Sequence, residues 1–226
     1  MTDYRILLFD LDGTLTDSEN GILNCVKHAL ESAGRDIPDD AALRAFIGPP
    51  LLESFQTVCG MSYEDAEAAV VKYRERYNVK GLFENRVYDG IPELLNKLNS
   101  AGYRLAVATS KPEAFTLRIL EHFGILGCFE AVAGCSLEKE GETKADMIRL
   151  AMERLHLTDD DKPYVLMIGD RKHDVLGARE CGIDCAGVLY GFSPEGELQE
   201  YGAHPIAEDV EALGRILLGQ TCAITM

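Results

Sequence analysis

Phe9-Asp10-Leu11-Asp12-Gly13-Thr14-Leu15 continues the apolar run Ile6-Leu7-Leu8-Phe9, and the rest of the chain can be interpreted from this stretch. The apolar run predicts a buried strand, and because Asp10 and Asp12 are two residues apart, extended backbone would point both carboxylates the same way. Two carboxylates at the end of a buried strand are costly unless a cation lies between them. Mg²⁺ prefers oxygen ligands, so the pattern indicates a magnesium site, with the hydroxyl of Thr14 beside it. The alternative is a strand that ends in an ordinary Asp-Gly turn.

Length and composition limit the classes of protein to consider. With 226 residues, 46% of them apolar, the chain can bury the core of one large domain or of a domain with a smaller insertion. The formal net charge of −16 argues against nucleic-acid binding, because phosphate contacts need clustered Lys and Arg. The seven cysteines are scattered without a CxxC pair, which is typical of a reduced, cytoplasmic protein. No long apolar run and no basic, cleavable leader are present, so neither membrane insertion nor secretion is expected.

After the first strand the pattern becomes helical, and it remains so to about residue 77. Apolar spacing and capping residues predict helices near residues 18–34, 39–46, 51–58 and 62–77, with Gly48-Pro49-Pro50 breaking the chain between the second and the third. No strand pattern occurs in this region. We therefore predict a helical domain at residues 17–85, inserted into a core that comprises residues 1–16 and 86–226.

Strands and helices alternate in the rest of the chain. The predicted strands cover residues 104–108, 129–133, 164–168 and 185–188, and the predicted helices cover 91–102, 112–124, 143–155, 174–181 and 209–218. This alternation predicts an α/β fold with a doubly wound, Rossmann-like parallel sheet. Such sheets bind ligands in the crevice beyond the carboxyl ends of their strands.

Polar residues lie just beyond three predicted strands and at the start of one predicted helix. Each has a simpler explanation: Thr109 and Ser110 could cap a helix, and Asp174 could be an ordinary acid of a first helical turn. Together, at one edge of one sheet, four carboxylates, several hydroxyls and at least one lysine indicate a site for a metal and a phosphate. The residues are Asp10, Asp12, Thr14, Thr109, Ser110, Lys111, Lys144, Asp170 and Asp174.

These residues resemble the motifs of the haloacid dehalogenase superfamily of phosphohydrolases, and within it the phosphoglycolate phosphatase-like group, over essentially the whole chain. Asp10-Leu-Asp12-Gly-Thr14 is similar to the first motif, Ala108-Thr109-Ser110-Lys111-Pro112 to the second, Lys144 to the third, and Gly169-Asp170 through Asp174 to the fourth. The helical insertion is similar to the family's small cap. Two departures are visible: Ser110 replaces the usual asparagine, and the acidic stretch before Lys144 offers Lys139 as a second candidate for its role.

The resemblance implies a role for each residue. Asp10 would be the nucleophile that forms an aspartyl phosphate, and Asp12 would act first as general acid and then as general base. Mg²⁺ would be bound by the Asp10 carboxylate, the Asp12 backbone carbonyl and Asp170. Thr109 and Lys144 would bind phosphoryl oxygens, and Thr14, Ser110 and Lys111 would bind the phosphate of the substrate. Asp174 would orient Lys144 or a metal-bound water.

We therefore expect a Mg²⁺-dependent phosphatase that acts on a small phosphorylated metabolite such as phosphoglycolate, a nucleotide or a sugar phosphate. It would be a cytoplasmic monomer or homodimer. A phosphotransferase of the same fold, similar to phosphoglucomutase, remains open. A receiver-type phosphoacceptor domain is less favoured because it lacks a helical insertion. In the resembling family the cap loops face the catalytic edge, so Gly48 is expected to contact the substrate.

Overall fold

The computed structural model describes residues 4–137, 139 and 141–219. The chain divides into two compact units. Asp17–Arg86 forms one, which we call the helical unit, and Met1–Thr16 with Val87–Met226 forms the other, which we call the core unit.

Eight strands are found in the described residues, and six of them form one parallel sheet in the core unit. The sheet order is β5-β4-β1-β6-β7-β8. The strands are β1 (Ile6–Phe9), β2 (Thr16–Asp17), β3 (Arg86–Val87), β4 (Arg104–Pro112), β5 (Ala131–Cys135), β6 (Val165–Gly169), β7 (Asp184–Val188) and β8 (Ile206–Ala207).

Ten α-helices accompany these strands in the same part of the chain. They are α1 (Glu19–Ser32), α2 (Asp40–Arg44), α3 (Leu51–Cys59), α4 (Tyr63–Arg76), α5 (Ile91–Ser100), α6 (Glu113–His122), α7 (Lys144–Arg154), α8 (Lys172–Cys181), α9 (Glu197–Tyr201) and α10 (Val210–Leu217). A π-helical turn (Tyr77–Gly81) follows α4 directly. None of the helices in the described ranges is long and apolar enough to cross a membrane.

The apolar run at the start of the chain forms the central strand of the sheet. Leu7, Leu8 and Phe9 are fully buried, and Phe9 lies opposite Val107 on one side and Ile168 on the other. A strand that is paired on both edges and covered on both faces requires apolar residues at consecutive positions, which explains the unbroken pattern. The strand order, with successive strands added outwards on either side of β1, confirms the predicted doubly wound α/β fold.

The helical unit contains the helices α1 to α4. The helices α2 and α4 begin at side-chain caps, because Asp39 accepts a hydrogen bond from Ala42 N (2.9 Å) and Ser62 accepts one from Asp65 N (3.1 Å). Gly48 lies between α2 and α3, is exposed, and has a φ of 107°. An irregular turn at the Gly-Pro-Pro stretch is therefore present as predicted.

Several predicted element bounds in the core unit were wrong. The strand β4 runs to Pro112 rather than residue 108, because it continues to pair with β5 beyond an irregularity after Thr109. The strand β5 begins two residues later than predicted. The helix α8 begins at Lys172 rather than Asp174. Asp174 lies in its first turn, where its Oδ2 accepts a hydrogen bond from the N-cap residue, Arg171 N (3.0 Å). The short elements α9 and β8 were not predicted. With five and two residues, they are too short to show a helical or strand pattern of apolar residues.

Candidate active site

The two central strands of the sheet bring the first and fourth motifs side by side. Beyond β1, Asp10 N donates a hydrogen bond to Ile168 O (2.9 Å), so the pairing with β6 continues to the first acid. Asp170 directly follows β6. Chain connections run outwards in opposite directions from these two strands, and the crevice at such a point is where doubly wound sheets bind ligands.

Lys144 is the buried cation of this crevice. Its Nζ lies 2.7 Å from Asp10 Oδ1 and 2.8 Å from Asp174 Oδ1, and it donates a hydrogen bond to Ala108 O (3.2 Å). Burial lowers the pKa of Lys144, but the two carboxylates outweigh that effect and hold its pKa above the usual value. A lysine that is charged at all physiological pH values is therefore fixed between two of the predicted site acids.

The local sequence explains how Lys144 reaches this position. Thr143 Oγ1 accepts a hydrogen bond from Asp146 N (3.2 Å), while Thr143 N donates one to Asp146 Oδ2 (2.9 Å). This capping box begins α7 at Lys144. Lys139, the second candidate, is exposed. The structure thus places Lys144 in the site.

Three acids lie close enough together to hold a metal ion. Asp10, Asp170 and Asp174 each offer one carboxylate oxygen within 4.8 Å of the others, and all three residues are buried. Burial and the neighbouring acids raise the pKa of Asp170 well above its ordinary value. Burial first and then Asp174 raise the pKa of Asp10 to about 6, despite the opposing effect of Lys144.

The donor set fits a hard divalent cation. One lysine does not balance three buried carboxylates, and Asp170 Oδ1 has no hydrogen-bond partner among the described residues. Oxygen donors with uncompensated negative charge are what Mg²⁺ selects. Both oxygens of Asp174 already have partners, since Oδ1 contacts Lys144 and Oδ2 accepts from Arg171 N. Asp10 and Asp170 are thus the acids best placed to bind a metal directly.

Asp12 lies in the turn that follows β1. The strand β1 ends at Phe9, and the chain turns at Gly13, whose N donates to Thr16 O (2.7 Å). Asp10 and Asp12 therefore follow the strand β1 rather than belong to it. The Asp12 carboxylate pairs with Lys111 Nζ at 2.5 Å, whereas Asp10 pairs with Lys144.

The turn after Asp12 depends on a glycine. The φ of Gly13 is +83°, and a Cβ there would lie 2.1 Å from Asp170 Oδ2. The absence of a side chain lets the turn approach the buried acid. Thr14 is also fully buried, and its Oγ1 has no hydrogen-bond partner within the described chain.

The remaining predicted residues divide into buried and exposed ones. Thr109 is buried, and its Oγ1 accepts a hydrogen bond from Lys111 N (3.2 Å). Ser110 is exposed. Gly48 belongs to the helical unit.

Sequence reasoning missed the loop after β7 and the helix behind it. Phe192 N donates a hydrogen bond to Asp170 Oδ2 (2.7 Å), and Tyr190 Oη donates one to Thr14 O (3.1 Å). Glu197 Oε1 accepts hydrogen bonds from Arg171 Nε (2.9 Å) and Lys172 N (3.0 Å). The position of the loop beyond a predicted strand was the only available signal, because most of these contacts involve main-chain atoms.

The fold and the site define an α/β enzyme whose buried acids and lysine meet at the centre of a parallel sheet. Comparison with known families gives the class a name: residues 7–188 match the model described as haloacid dehalogenase-like hydrolase. The chain belongs to this family, as the motifs predicted, and it is a phosphoric monoester hydrolase of the phosphatase type.

Three relatives are similar to this chain over most of its length, and two of them have the names of phosphomonoester hydrolases. A 5'-nucleotidase from Pseudomonas aeruginosa is 46% identical over 217 residues, covering 95% of this chain and 96% of the relative. A phosphoglycolate phosphatase from Colwellia psychrerythraea is 30% identical and covers 89% of this chain and 92% of its own length. The tyrosine-protein kinase PtkA from Mycobacterium tuberculosis is 42% identical over 83% of this chain, which spans 63% of that protein.

A solved structure agrees with the fold. The crystal structure of a predicted phosphatase from Clostridium acetobutylicum has a TM-score of 0.87 and 44% identity, with 96% of this chain and 99% of that chain covered. The similarity therefore extends over both units of the chain.

Proposed function

We propose that this phosphatase uses Mg²⁺ to hydrolyse a small phosphomonoester through an aspartyl phosphate on Asp10. The observation that carries the proposal is the buried contact between the Asp10 carboxylate and Lys144, next to Asp170 and Asp174. A carboxylate held beside a fixed cation at the mouth of a crevice is well placed to attack phosphorus, since the cation also attracts the phosphoryl group.

The reaction would proceed in two displacements. In the first, an Asp10 oxygen forms a bond to phosphorus while the bond to the leaving oxygen breaks, and Asp12 gives its proton to the departing alkoxide. In the second, Asp12 accepts a proton from water, which attacks phosphorus and releases Asp10. Lys111 Nζ, 2.5 Å from the Asp12 carboxylate, would hold that carboxylate in place and, with Lys144 and Thr109, bind phosphoryl oxygens.

Asp10 and Asp170 would bind Mg²⁺ through their carboxylates, together with the backbone carbonyl of Asp12. Bound there, the cation would neutralise the buried acids and polarise the phosphoryl group. Asp174 would position Lys144, with which it makes a 2.8 Å contact.

The substrate is proposed to be a phosphorylated metabolite such as phosphoglycolate, a nucleoside monophosphate or a sugar phosphate. The names of two relatives, 5'-nucleotidase and phosphoglycolate phosphatase, support this range. We further propose that Gly48 and its loop contribute to substrate choice, and that the enzyme works in the cytoplasm as a monomer or homodimer without a nucleic-acid partner.

A panel of phosphomonoesters tests the proposal directly. With Mg²⁺ present, we expect release of inorganic phosphate from at least one member, with kcat/KM ranking the substrates. Turnover that required a phosphorylated sugar as activator, or that moved phosphate to a second organic acceptor instead of water, would favour the phosphotransferase alternative. The similarity to a tyrosine-protein kinase makes a tyrosine peptide a useful acceptor to include.

Removal of the metal should abolish the reaction. In excess EDTA we expect no measurable phosphate release, because Asp10 and Asp170 would repel both each other and the phosphate. Added Mg²⁺ should restore the rate, whereas Ca²⁺ should inhibit because it prefers a higher coordination number and looser geometry. Full turnover in EDTA would contradict the metal assignment.

Metal affinity should depend on pH in a defined direction. Because burial raises the pKa of Asp10 from 3.8 to about 6, the metal-free carboxyl is mostly protonated at pH 5 and ionised at pH 7. Mg²⁺ must displace that proton, so its apparent Kd should rise about tenfold or more from pH 7 to pH 5. Isothermal titration calorimetry at several pH values measures this. An unchanged Kd across that interval would show that Asp10 is not a ligand.

A further inference from the structure

Residues 189–194, which we call the β7 loop, supply a main-chain donor to the candidate metal site. Phe192 N donates to Asp170 Oδ2 at 2.7 Å, a distance typical of a charge-assisted hydrogen bond. Asp170 is fully buried, and its other oxygen, Oδ1, has no hydrogen-bond partner in the described part of the chain. The contact thus divides the carboxylate into one oxygen held by the protein and one oxygen left for a ligand.

The β7 loop approaches this acid more closely than a side chain would permit. A Cβ at Gly191 would lie 2.3 Å from Gly13 O and 2.5 Å from Asp170 Cβ. A Cβ at Gly13 would likewise lie 2.1 Å from Asp170 Oδ2. Main chain from two separate segments therefore encloses Asp170, and this restricts rotation of its carboxylate.

Tyr190 anchors the loop to the turn that carries the first motif. Its hydroxyl donates to Thr14 O (3.1 Å), and its ring packs edge-on against Tyr88 with centroids 4.9 Å apart. Tyr88 N in turn donates to Leu15 O (3.1 Å). The β7 loop is therefore hydrogen-bonded to the turn through Tyr190 and to Asp170 through Phe192.

We propose that the β7 loop positions the metal ligand: Phe192 N–H holds Asp170 in the orientation that presents Oδ1 to the cation, and Tyr190 fixes the loop against the 12–14 turn. The inference rests on the metal binding proposed above. Without the donor, the carboxylate of Asp170 loses one of its constraints and turns the wrong oxygen towards the ion more readily. Outer partners of metal ligands typically change metal affinity by about 10- to 100-fold, and a comparable effect is expected here.

Two substitutions at one position test the N–H group. Phe192→Ala removes the ring and keeps the donor, whereas Phe192→Pro removes both, so their difference reports on the loss of the N–H group together with the fixed φ of proline. We expect the proline variant to bind Mn²⁺ about tenfold or more weakly than the alanine variant, as measured by the electron paramagnetic resonance signal of free Mn²⁺. Equal Kd values in the two variants, with normal binding by the wild type, would overturn the inference and leave the proposed function standing.

Tyr190→Phe provides a milder test that keeps the ring in place. Loss of the single hydroxyl should weaken Mn²⁺ binding about fivefold, the effect of one buried hydrogen bond, while kcat at saturating metal returns towards the wild-type value. A merely structural role would lower thermal stability without moving the Kd. If the proline variant fails to fold, an unchanged Kd in Tyr190→Phe overturns the inference. A wild type that binds no Mn²⁺ overturns both the proposed function and the inference.

Discussion

Asp10→Asn is expected to lower phosphatase turnover by about 10⁴-fold or more, equivalent to about 5.5 kcal/mol of activation free energy. The amide is similar in size to the carboxylate but cannot form the acyl phosphate. The fold should persist, because Lys144 retains its contact with Asp174 at 2.8 Å. Steady-state phosphate release measures the loss, and circular dichroism measures the fold.

A charge-matched control separates the nucleophile from a general effect of charge. Asp160 is an exposed acid, so Asp160→Asn removes the same formal charge and should leave turnover within about twofold of the wild type. After an acid quench, the wild type should carry one extra phosphoryl group on the peptide that contains Asp10, and Asp10→Asn should carry none. Retention of even a tenth of wild-type turnover by Asp10→Asn would exclude the covalent mechanism.

Lys144→Met is the second substitution with a large expected effect, on stability as well as activity. The side chain is 5% exposed and contacts two buried carboxylates, so its removal leaves Asp10 and Asp174 without a cation. Breaking a buried ion pair from one side costs about 3–5 kcal/mol of unfolding free energy. Turnover should fall about 10³-fold, because a cation that binds the transferring phosphoryl group is lost.

Lys139→Met is the matched control for this substitution. Lys139 is exposed, so its replacement should change the unfolding free energy by less than about 0.5 kcal/mol and leave turnover unaltered. Urea denaturation without metal and phosphate release with Mg²⁺ measure the two properties for both variants. Loss of activity in Lys139→Met with retention in Lys144→Met would reverse the assignment of the third motif.

Much of the fold could be predicted because its determinants are local. The unbroken apolar run of β1 reflects burial on both faces, and the caps at Asp39, Ser62 and Thr143 place helix starts within a residue or two. Alternation of such elements is sufficient to predict a parallel sheet. Element ends were predicted less well, because a strand such as β4 ends where its neighbour stops pairing, which its own residues do not encode.

From the sequence we also predicted that Asp10, Lys144, Asp170 and Asp174 lie at one edge of the sheet, since each lies just beyond a strand or at the start of a helix. Which of these residues pair with each other depends on the tertiary structure. Lys111 contacts Asp12, Lys144 joins Asp10 to Asp174, and a backbone N–H at Phe192 holds Asp170. Ion pairs between residues distant in sequence depend on strand order and on where each turn leaves the sheet. A main-chain donor carries no residue-specific signal at all, because every residue except proline has the same N–H group.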